Sequence, residues 1–331
     1  MAAVLPAAIL PVAGCGENDA GVAVVTLYCS VDEAFSRRVV AVFEKETAIR
    51  VQLVADSEAG KTTSLVQRLR LERSRPRADV FWSSEQMQTE QLAREGVLAA
   101  YDSPSAGDIP ATWRHPEHLW TGLALRARVL AYDPARTRPE DIPRTWRSLS
   151  NARYAGRLAM ANPLFGTTRS HVAAMAALWG DAELRAFVTD LTAHKTLITD
   201  GNSAAVRRLI AGEVDLAMTD SDDVLVARAR GHSVAMAFLD MGDGGTMLIP
   251  NTVALVCGAP HAEPGRRLID FLLSARVERM LARSESGNYP VRPSLRQALG
   301  VTLPPMSRLP VSRIVEAAPV AIEICRDILL Q

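Results

Sequence analysis

The sequence predicts an α/β protein of two lobes that are joined by two crossing strands. Strand and helix patterns alternate from residue 22 onward, which is typical of α/β layering. Two long apolar stretches, residues 123–132 and 246–256, have the length and composition of strands that connect lobes. The segment between them carries its own strand and helix patterns. We therefore expect a hinged, two-lobed binder of the Venus-flytrap type.

The first lobe is predicted to begin with repeated strand, polar loop and helix units. Strands are expected at residues 22–28, 49–54 and 78–82, and apolar residues at helical spacing follow the first two. Polar residues come directly after each strand. In open α/β sheets, ligands bind beyond the carboxyl ends of the strands. The ends of these strands are therefore candidate positions for a binding site.

The division of the chain follows from the two crossing strands. Residues 125–251 are predicted to form lobe two, with strands at 157–161 and 216–218 and helices at 170–179 and 204–211. Residues 22–124 together with 252–331 are predicted to form lobe one. Residues 1–21 are assigned to a lipoprotein signal and linker.

The amino-terminal segment predicts export and a lipid anchor. An apolar run at residues 7–11 leads into Val12-Ala13-Gly14-Cys15, which has the form of a bacterial lipoprotein processing site with Cys15 as the lipidated residue. The run is shorter than the about 20 residues that a membrane-spanning helix needs. The leader lacks the basic residues that normally open a secretory signal, so an alanine-rich disordered terminus is the alternative. We expect a periplasmic or cell-surface protein, lipid-anchored to a membrane.

Composition restricts the possible partners. The 331 residues include 37 Lys and Arg and 37 Asp and Glu, and this balance argues against a nucleic-acid partner. We expect a monomer. Among the cysteines at 15, 29, 257 and 325, no pair has the spacing of a metal site. Cys29 and Cys257 each end a predicted strand, so they form either a disulfide or two buried free thiols.

An ordered set of motifs resembles a known family. The segments are LYCS at 27–30, FEKETAIRV at 43–51, EAGKTT at 58–63, ADVFW at 78–82, EGVL at 95–98, PNTVA at 250–254 and LIDFLLS at 268–274. Together they resemble the periplasmic iron(III)-type substrate-binding proteins of ABC transporters, over residues 22–295. The resemblance implies a type II periplasmic-binding-protein fold, ferric iron as ligand with a phosphate or carbonate anion, and an ABC permease and ATPase as partners.

The chain departs from this family at the iron ligands. Transferrin-like members hold iron through a tyrosine pair after a strand that follows a Gly-Glu-Val/Ile-Asp turn. Here Gly212-Glu213-Val214-Asp215 leads to Thr219-Asp220-Ser221-Asp222-Asp223, which contains no tyrosine. The resemblance therefore identifies a variant that lacks the tyrosine pair.

Carboxylates are the candidate metal ligands. Asp220 and Asp222 can coordinate a hard cation through oxygen or pair with an ammonium group. The alternative is that they cap the following helix and complement its dipole. Glu58 is carried over from the family as a metal ligand, and a solvated turn carboxylate is its alternative.

Small polar residues are the candidate anion ligands. Gly166, Thr167 and Thr168 precede a predicted helix where family members bind the anion, and Asn202 matches a family asparagine near it; ordinary N-caps are the alternative. In lobe one, Tyr28 and Ser30 end the first strand, and Ser83 and Ser84 end the third. Tyr28 either supplies a phenolate or caps the core.

The predicted function is capture of ferric iron by closure of the lobes near Leu125 and Pro250. The alternative ligand is an aminophosphonate or another phosphorylated small molecule, because an anion turn beside carboxylates suits a zwitterion. An enzyme is not expected, because the sequence has no Gly-x-Ser-x-Gly elbow and no His-Glu-x-x-His helix. A two-lobed transferase such as porphobilinogen deaminase is the alternative of another class, but Cys257 and Cys325 lack the context of its cofactor-bearing cysteine.

Overall fold

The computed structural model describes residues 22–56 and 62–329. The predictions for the leader, the lipidated Cys15 and Glu58 lie outside these residues.

The strands are β1 (Val24–Cys29), β2 (Arg50–Ala55), β3 (Val80–Ser83), β4 (Leu98–Ala99), β5 (Thr121–Tyr132), β6 (Leu158–Ala161), β7 (Leu197–Thr199), β8 (Leu216–Asp220), β9 (Ala235–Ala237) and β10 (Leu248–Val256). The helices are α1 (Glu33–Thr47), α2 (Thr63–Leu71), α3 (Met87–Arg94), α4 (Gly166–Trp179), α5 (Asp181–Ala193), α6 (Asn202–Ile210), α7 (Ser221–Ala229), α8 (Ala262–Leu272), α9 (Ala275–Ala282), α10 (Pro293–Leu299) and α11 (Val311–Leu329).

The strands form two sheet regions that share β5. In the first, the order is β2-β1-β3-β10-β5, with β1 parallel to β2 and β3, and β4 paired to the edge of β10. In the second, the order is β5-β8-β6-β7, with β6 parallel to β7 and β8, and β9 beside β5. The α/β class and the two-lobed architecture are confirmed.

The two predicted crossing strands are β5 and β10, which pair antiparallel. Leu125 lies opposite Pro250, and the register shifts between Pro250 and Asn251. A third segment pairs with β5, because Leu125 and Tyr289 exchange two backbone hydrogen bonds of 2.6 and 2.8 Å. Proline has no N–H to donate to a ladder, so it is found at such irregularities. The hinge therefore contains a segment near Tyr289 that the sequence did not reveal.

The carboxyl ends of the parallel strands face each other across the molecule. β1 and β3 end at Cys29 and Ser83 in the first region, and β6, β7 and β8 end at Ala161, Thr199 and Asp220 in the second. The loops and helix starts that follow these strands line one cavity. The topology thus places residues that are distant in sequence around a common site.

The C-terminal helix packs on helices of the predicted lobe two. Ile314, Val315 and Ile322 of α11 are buried in the same core cluster as Val172 of α4 and Leu191 of α5. The prediction assigned all of 252–331 to lobe one, but the apolar face of α11 packs on helices of the predicted lobe two. The lobe boundaries remain a prediction.

The cysteines do not form the disulfide that the sequence allowed. Cys29 is buried and Cys257 is exposed, and both thiols are free. Burial raises the pKa of Cys29 to about 12, which makes this thiol unreactive at neutral pH. Within the described residues, no helix is both long and apolar enough to cross a membrane.

Candidate ligand-binding site

A cavity of about 60 Å³ lies between the facing strand ends. This volume is above the roughly 10–15 Å³ that a cavity needs to hold one water molecule, so the site suits a small ligand. Most of the predicted site residues line it together: Ser30, Ser84, Gly166, Thr167, Thr168, Asn202, Asp220 and Asp222. Their roles as ligands remain a prediction, but the fold brings them to one place.

Tyr28 and Ser83 do not reach this cavity. The Tyr28 hydroxyl donates to Glu72 Oε2 at 2.8 Å, and the Arg68 guanidinium lies 4.7 Å from the centre of the ring. Burial and Glu72 raise the pKa of Tyr28 to about 12, so a phenolate is disfavoured. Ser83 Oγ donates to the Glu85 carbonyl at 2.7 Å. Side chains alternate across a strand, which turns Tyr28 into the core cluster on the other face of the sheet.

Tyrosine ligation of a metal is therefore not available in this arrangement. The five tyrosines of the chain all fall within the described residues, and none of them lines the cavity. Any metal here would depend on carboxylates, amides, hydroxyls or a bound anion.

Asp220 is engaged by protein groups on both of its oxygens. Its Oδ1 accepts from Arg128 Nη1 at 2.8 Å, and its Oδ2 accepts from Thr167 Oγ1 at 2.6 Å and from Asn202 Nδ2 at 2.9 Å. Arg126 Nε lies 3.2 Å from the same Oδ2. Burial raises the pKa of Asp220, but the guanidiniums of Arg128 and Arg126 outweigh it and leave the pKa below its ordinary value. Asp220 is thus the counter-ion of the fully buried Arg128 and of Arg126, whose side chain is 11% exposed.

Asp220 fits the alternative role of a helix cap only by its position. Asp220 occupies the N-cap position of α7, but its side chain makes no capping hydrogen bond there within the described structure. Asp222 and Asp223 lie in the first turn of α7, where carboxylates complement the helix dipole. The three carboxylates have oxygens within 4.8 Å of one another. A cation at this cluster would have to compete with Arg126 and Arg128 for Asp220.

Arg126 connects the two sides of the cavity. Its Nη2 donates to the Ser84 carbonyl at 2.6 Å, and its Nη1 donates to Asp222 Oδ2 at 3.3 Å. Ser84 follows β3 of the first sheet region, whereas Asp222 belongs to α7 of the second. Burial lowers the pKa of Arg126, but Asp222 and Asp220 raise it more, so the guanidinium stays charged. The cavity wall therefore presents a cation and an anion side by side.

A pattern in the sequence indicates the role of these arginines, although it did not enter the predictions above. Arg126 and Arg128 stand two residues apart in an otherwise apolar strand, and such residues share one face of a strand. Buried guanidiniums require counter-charges. The pattern could have predicted that some acidic residues act as internal partners rather than as ligands.

Two helix starts and one amide supply further polar groups. α4 and α6 begin at Gly166 and Asn202, and neither receives a side-chain cap from the described residues. Helix N-termini of this kind attract anions. Asn251 Oδ1 lines the cavity, is buried, and has no hydrogen-bond partner among the described residues. A buried acceptor without a donor is unfavourable, so a ligand donor would satisfy it.

Comparison with known proteins decides the family. Residues 75–311 match the family model described as bacterial extracellular solute-binding protein, which is most of the chain. This chain belongs to the bacterial extracellular solute-binding protein family. The predicted resemblance is confirmed, and family and fold are those of binding proteins.

Relatives of this solute-binding protein carry names that point to different ligands. Iron uptake protein A1 of Synechocystis is 25% identical over 278 residues, covering 81% of this chain and 75% of that protein. A putative 2-aminoethylphosphonate-binding periplasmic protein of Salmonella typhimurium is 27% identical, covering 76% and 72%. Iron-bound HitA from Pseudomonas aeruginosa superposes with a TM-score of 0.81 at 23% identity, over 92% of this chain and 99% of that one. The similarity to the HitA structure shows that the two proteins share a fold.

Behind the site of this solute-binding protein, His171 adds a buried neutral imidazole. Its Nδ1 accepts from Arg128 Nε at 3.2 Å, and its ring lies 4.4 Å from the Trp146 ring. Burial and the charge of Arg128 hold the pKa of His171 well below its ordinary range. The side chain therefore stays neutral and accepts from a guanidinium.

We expect this histidine to make the solute-binding protein less stable in mild acid. The unfolded chain takes up a proton near pH 6.5, whereas folded His171 does not, so its contribution is present above that pH and lost as the pH falls below it. Below pH 6.5, the resulting decrease in the free energy of unfolding approaches about 1.4 kcal/mol per pH unit. Urea unfolding at pH 5 to 7.5 measures it. His171→Gln keeps an acceptor for Arg128 and should reduce the slope by that amount; an unchanged slope would contradict the assignment.

Proposed function

We propose that this chain is the extracytoplasmic solute-binding component of an ABC importer. It captures a small solute in the cavity between the two sheet regions and delivers it to a permease. Closure about Leu125, Pro250 and Tyr289 brings groups from both sides onto the ligand. The ligand drives this closure by its greater affinity for the closed arrangement. The family and the two-sided lining of the cavity support the proposal.

We infer further that the solute carries both an anionic and a cationic group, as an aminophosphonate does. The Arg126–Asp222 pair in the cavity wall carries this inference, because it matches both charges of a zwitterion. The starts of α4 and α6 favour a phosphonate or phosphate group, and Asn251 Oδ1 favours a donor such as an ammonium. The small volume agrees with a ligand of this size.

Ferric iron with a phosphate or carbonate anion is the second candidate. The close approach of the Asp220, Asp222 and Asp223 oxygens favours it, as does similarity to proteins named for iron uptake or Fe(3+) binding. It ranks second because Asp220 already neutralises two guanidiniums and no tyrosine lines the cavity. We also propose a lipid anchor at Cys15, supported by the Val-Ala-Gly-Cys motif.

Native mass spectrometry and metal analysis of protein purified from its own host test the ligand directly. We expect a small phosphorus-containing adduct without stoichiometric metal. Stoichiometric iron without such an adduct would overturn the first candidate in favour of the second.

Calorimetric titration with 2-aminoethylphosphonate then tests the role of Asp222. Asp222→Asn removes the charge that pairs with the ammonium group, and loss of one such charged hydrogen bond should weaken binding roughly 10- to 100-fold. Asp327→Asn, on an exposed position of α11, is the control and should bind like the wild type. Equal affinity of all three proteins would show that Asp222 does not contact the solute.

A further inference from the structure

A second and much larger cavity lies behind the hinge strands. Its volume is about 510 Å³, within the range of sites that bind drug-sized molecules. It is lined by α3, the loop before β5, the middle of α4, the start of β10 and the connector into α11. Nothing in the proposed capture of a small polar solute uses this cavity.

The two cavities share a thin wall. Ser84 lines the first and Glu85 lines the second, while on α4 Thr168 lines the first and Ser170 the second. Ser170 Oγ donates to Glu85 Oε2 at 2.7 Å, which closes the wall between them. On β10, Ile249 lines the second cavity and Asn251 the first, with the register shift between them. The two cavities therefore adjoin but share no lining residue.

The connector before α11 closes the second cavity on its outer side. Thr246 and Ser307 are joined by a backbone hydrogen bond of 2.9 Å, beside the bridge between Thr246 and Met306. A Cβ at Gly245 would lie 2.2 Å from the Met306 backbone, so only glycine permits this approach. The cavity thus has a tightly held outer wall rather than a loose loop.

The lining of the second cavity is mostly apolar and polarizable. Four methionines and two tryptophans contribute to it: Met87, Met241, Met247, Met306, Trp113 and Trp120. Methionine adapts to ligands of irregular shape and contacts aromatic rings favourably. Such a surface suits an apolar molecule with an aromatic or aliphatic body.

The carboxylates of the lining are engaged within the protein. Glu85 accepts from Ser170 and from the Met87 and Gln88 amides, and Glu90 accepts from Trp120 Nε1 at 2.9 Å and Arg94 Nε at 3.1 Å. Arg114 and Arg308 also lie in the lining, and Arg114 Nη1 donates to the Ala106 carbonyl at 3.4 Å. A cationic ligand would find both carboxylates already engaged, and the mostly apolar lining favours an uncharged ligand because burying a charge is unfavourable.

We propose that this second cavity, defined by Glu85, Met87, Trp120, Ala174, Met247 and Ser312, is a binding site for an uncharged, largely apolar small molecule of drug-like size. Because its walls come from both sheet regions, such a molecule contacts both sides of the hinge. The proposal does not depend on which solute enters the first cavity.

Fluorescence titration of the full chain with N-phenyl-1-naphthylamine, a neutral apolar fluorophore, tests this site. We expect saturable enhancement with one probe per chain. Ala174→Trp fills the cavity from α4, and Ser312→Trp fills it from the opposite wall on α11. Each should weaken probe binding by roughly tenfold or more. Ala186→Trp, on an exposed position of α5, is the matched control and should bind like the wild type.

Circular dichroism of each variant shows whether it has folded. Two variants on different walls are used so that the test can still be made if one of them does not fold. No saturable enhancement in the wild type, or equal binding by both cavity variants and the control, overturns the proposal. A crystal structure of the wild type with the probe bound elsewhere overturns it as well. Enhancement that depends on self-association, seen by sedimentation, would instead identify a protein interface and also overturn it.

Discussion

Asp220→Ala is expected to lower the free energy of unfolding by about 3–5 kcal/mol. Arg128 is fully buried and Asp220 is 3% exposed, so the substitution leaves a guanidinium in the interior without its nearest counter-charge. The hydrogen bonds of Thr167 and Asn202 to the carboxylate are lost at the same time. Urea-induced unfolding at neutral pH, followed by circular dichroism, measures the change.

Asp222→Ala is the matched control for this prediction. The Asp222 side chain is 17% exposed and pairs with Arg126, which retains Asp220 as a neighbour. The expected loss of stability is therefore no more than about 1 kcal/mol. Similar losses for the two variants would contradict the distinction between a buried counter-ion and a partly exposed carboxylate.

The pH dependence of the Asp220 contribution has a definite sign. Its pKa is lowered in the folded protein, so its stabilisation is present above the ordinary aspartate pKa of about 3.9 and is lost as the pH falls below it. The effect of His171 begins near pH 6.5 and continues to lower pH, whereas that of Asp220 begins only near pH 3.9. Of the two groups, His171 alone contributes above pH 5, and the contribution of Asp220 is the additional loss below that pH that His171→Gln retains and Asp220→Ala lacks.

Arg126→Met is expected to separate the two candidate ligands. The substitution removes positive charge from the cavity wall and breaks the link from the Ser84 carbonyl to Asp222. Affinity for 2-aminoethylphosphonate should fall by roughly 30-fold or more, since loss of a buried charged partner costs about 2 kcal/mol or more. Affinity for ferric iron, a cation, should be unchanged or increased, because repulsion is removed. Calorimetry with each ligand gives the comparison.

Arg185→Met, on an exposed position of α5, is the control for charge and should bind both ligands like the wild type. Circular dichroism should show that Arg126→Met remains folded, because Asp220 keeps Arg128 as its partner. Phosphonate affinity that survives the substitution would mean that Arg126 does not contact the anionic group.

Much of the fold could be predicted because it depends on local patterns of apolar and polar residues in the sequence. The alternation around β1, β2 and β3 and the long apolar stretches of β5 and β10 each reflect burial of a strand by its immediate neighbours in the chain. The position of Pro250 opposite Leu125 agrees with the predicted hinge. The third hinge segment at Tyr289 was missed, because two backbone hydrogen bonds leave no pattern in the sequence.

The candidate site was only partly predictable. Polar residues after β1, β3, β6 and β8 were expected to meet, and residues from all four loops line the cavity. Tyr28 was misplaced because alternation along β1 turns its ring to the far face. The packing of α11 on α4 was missed because an amphipathic helix shows that it has an apolar face, but not which helices cover it.

By itself, the sequence determined the α/β class, the order of the elements and the solute-binding family. These depend on residue spacing and on short motifs that neighbouring residues define. Only the tertiary structure decided what Asp220 does. Arg128 and Asp220 are 92 positions apart in the sequence, and their pairing arises where β5 and β8 lie side by side. A carboxylate in a motif can serve a ligand or a buried guanidinium, and the choice depends on which charge the fold brings within reach.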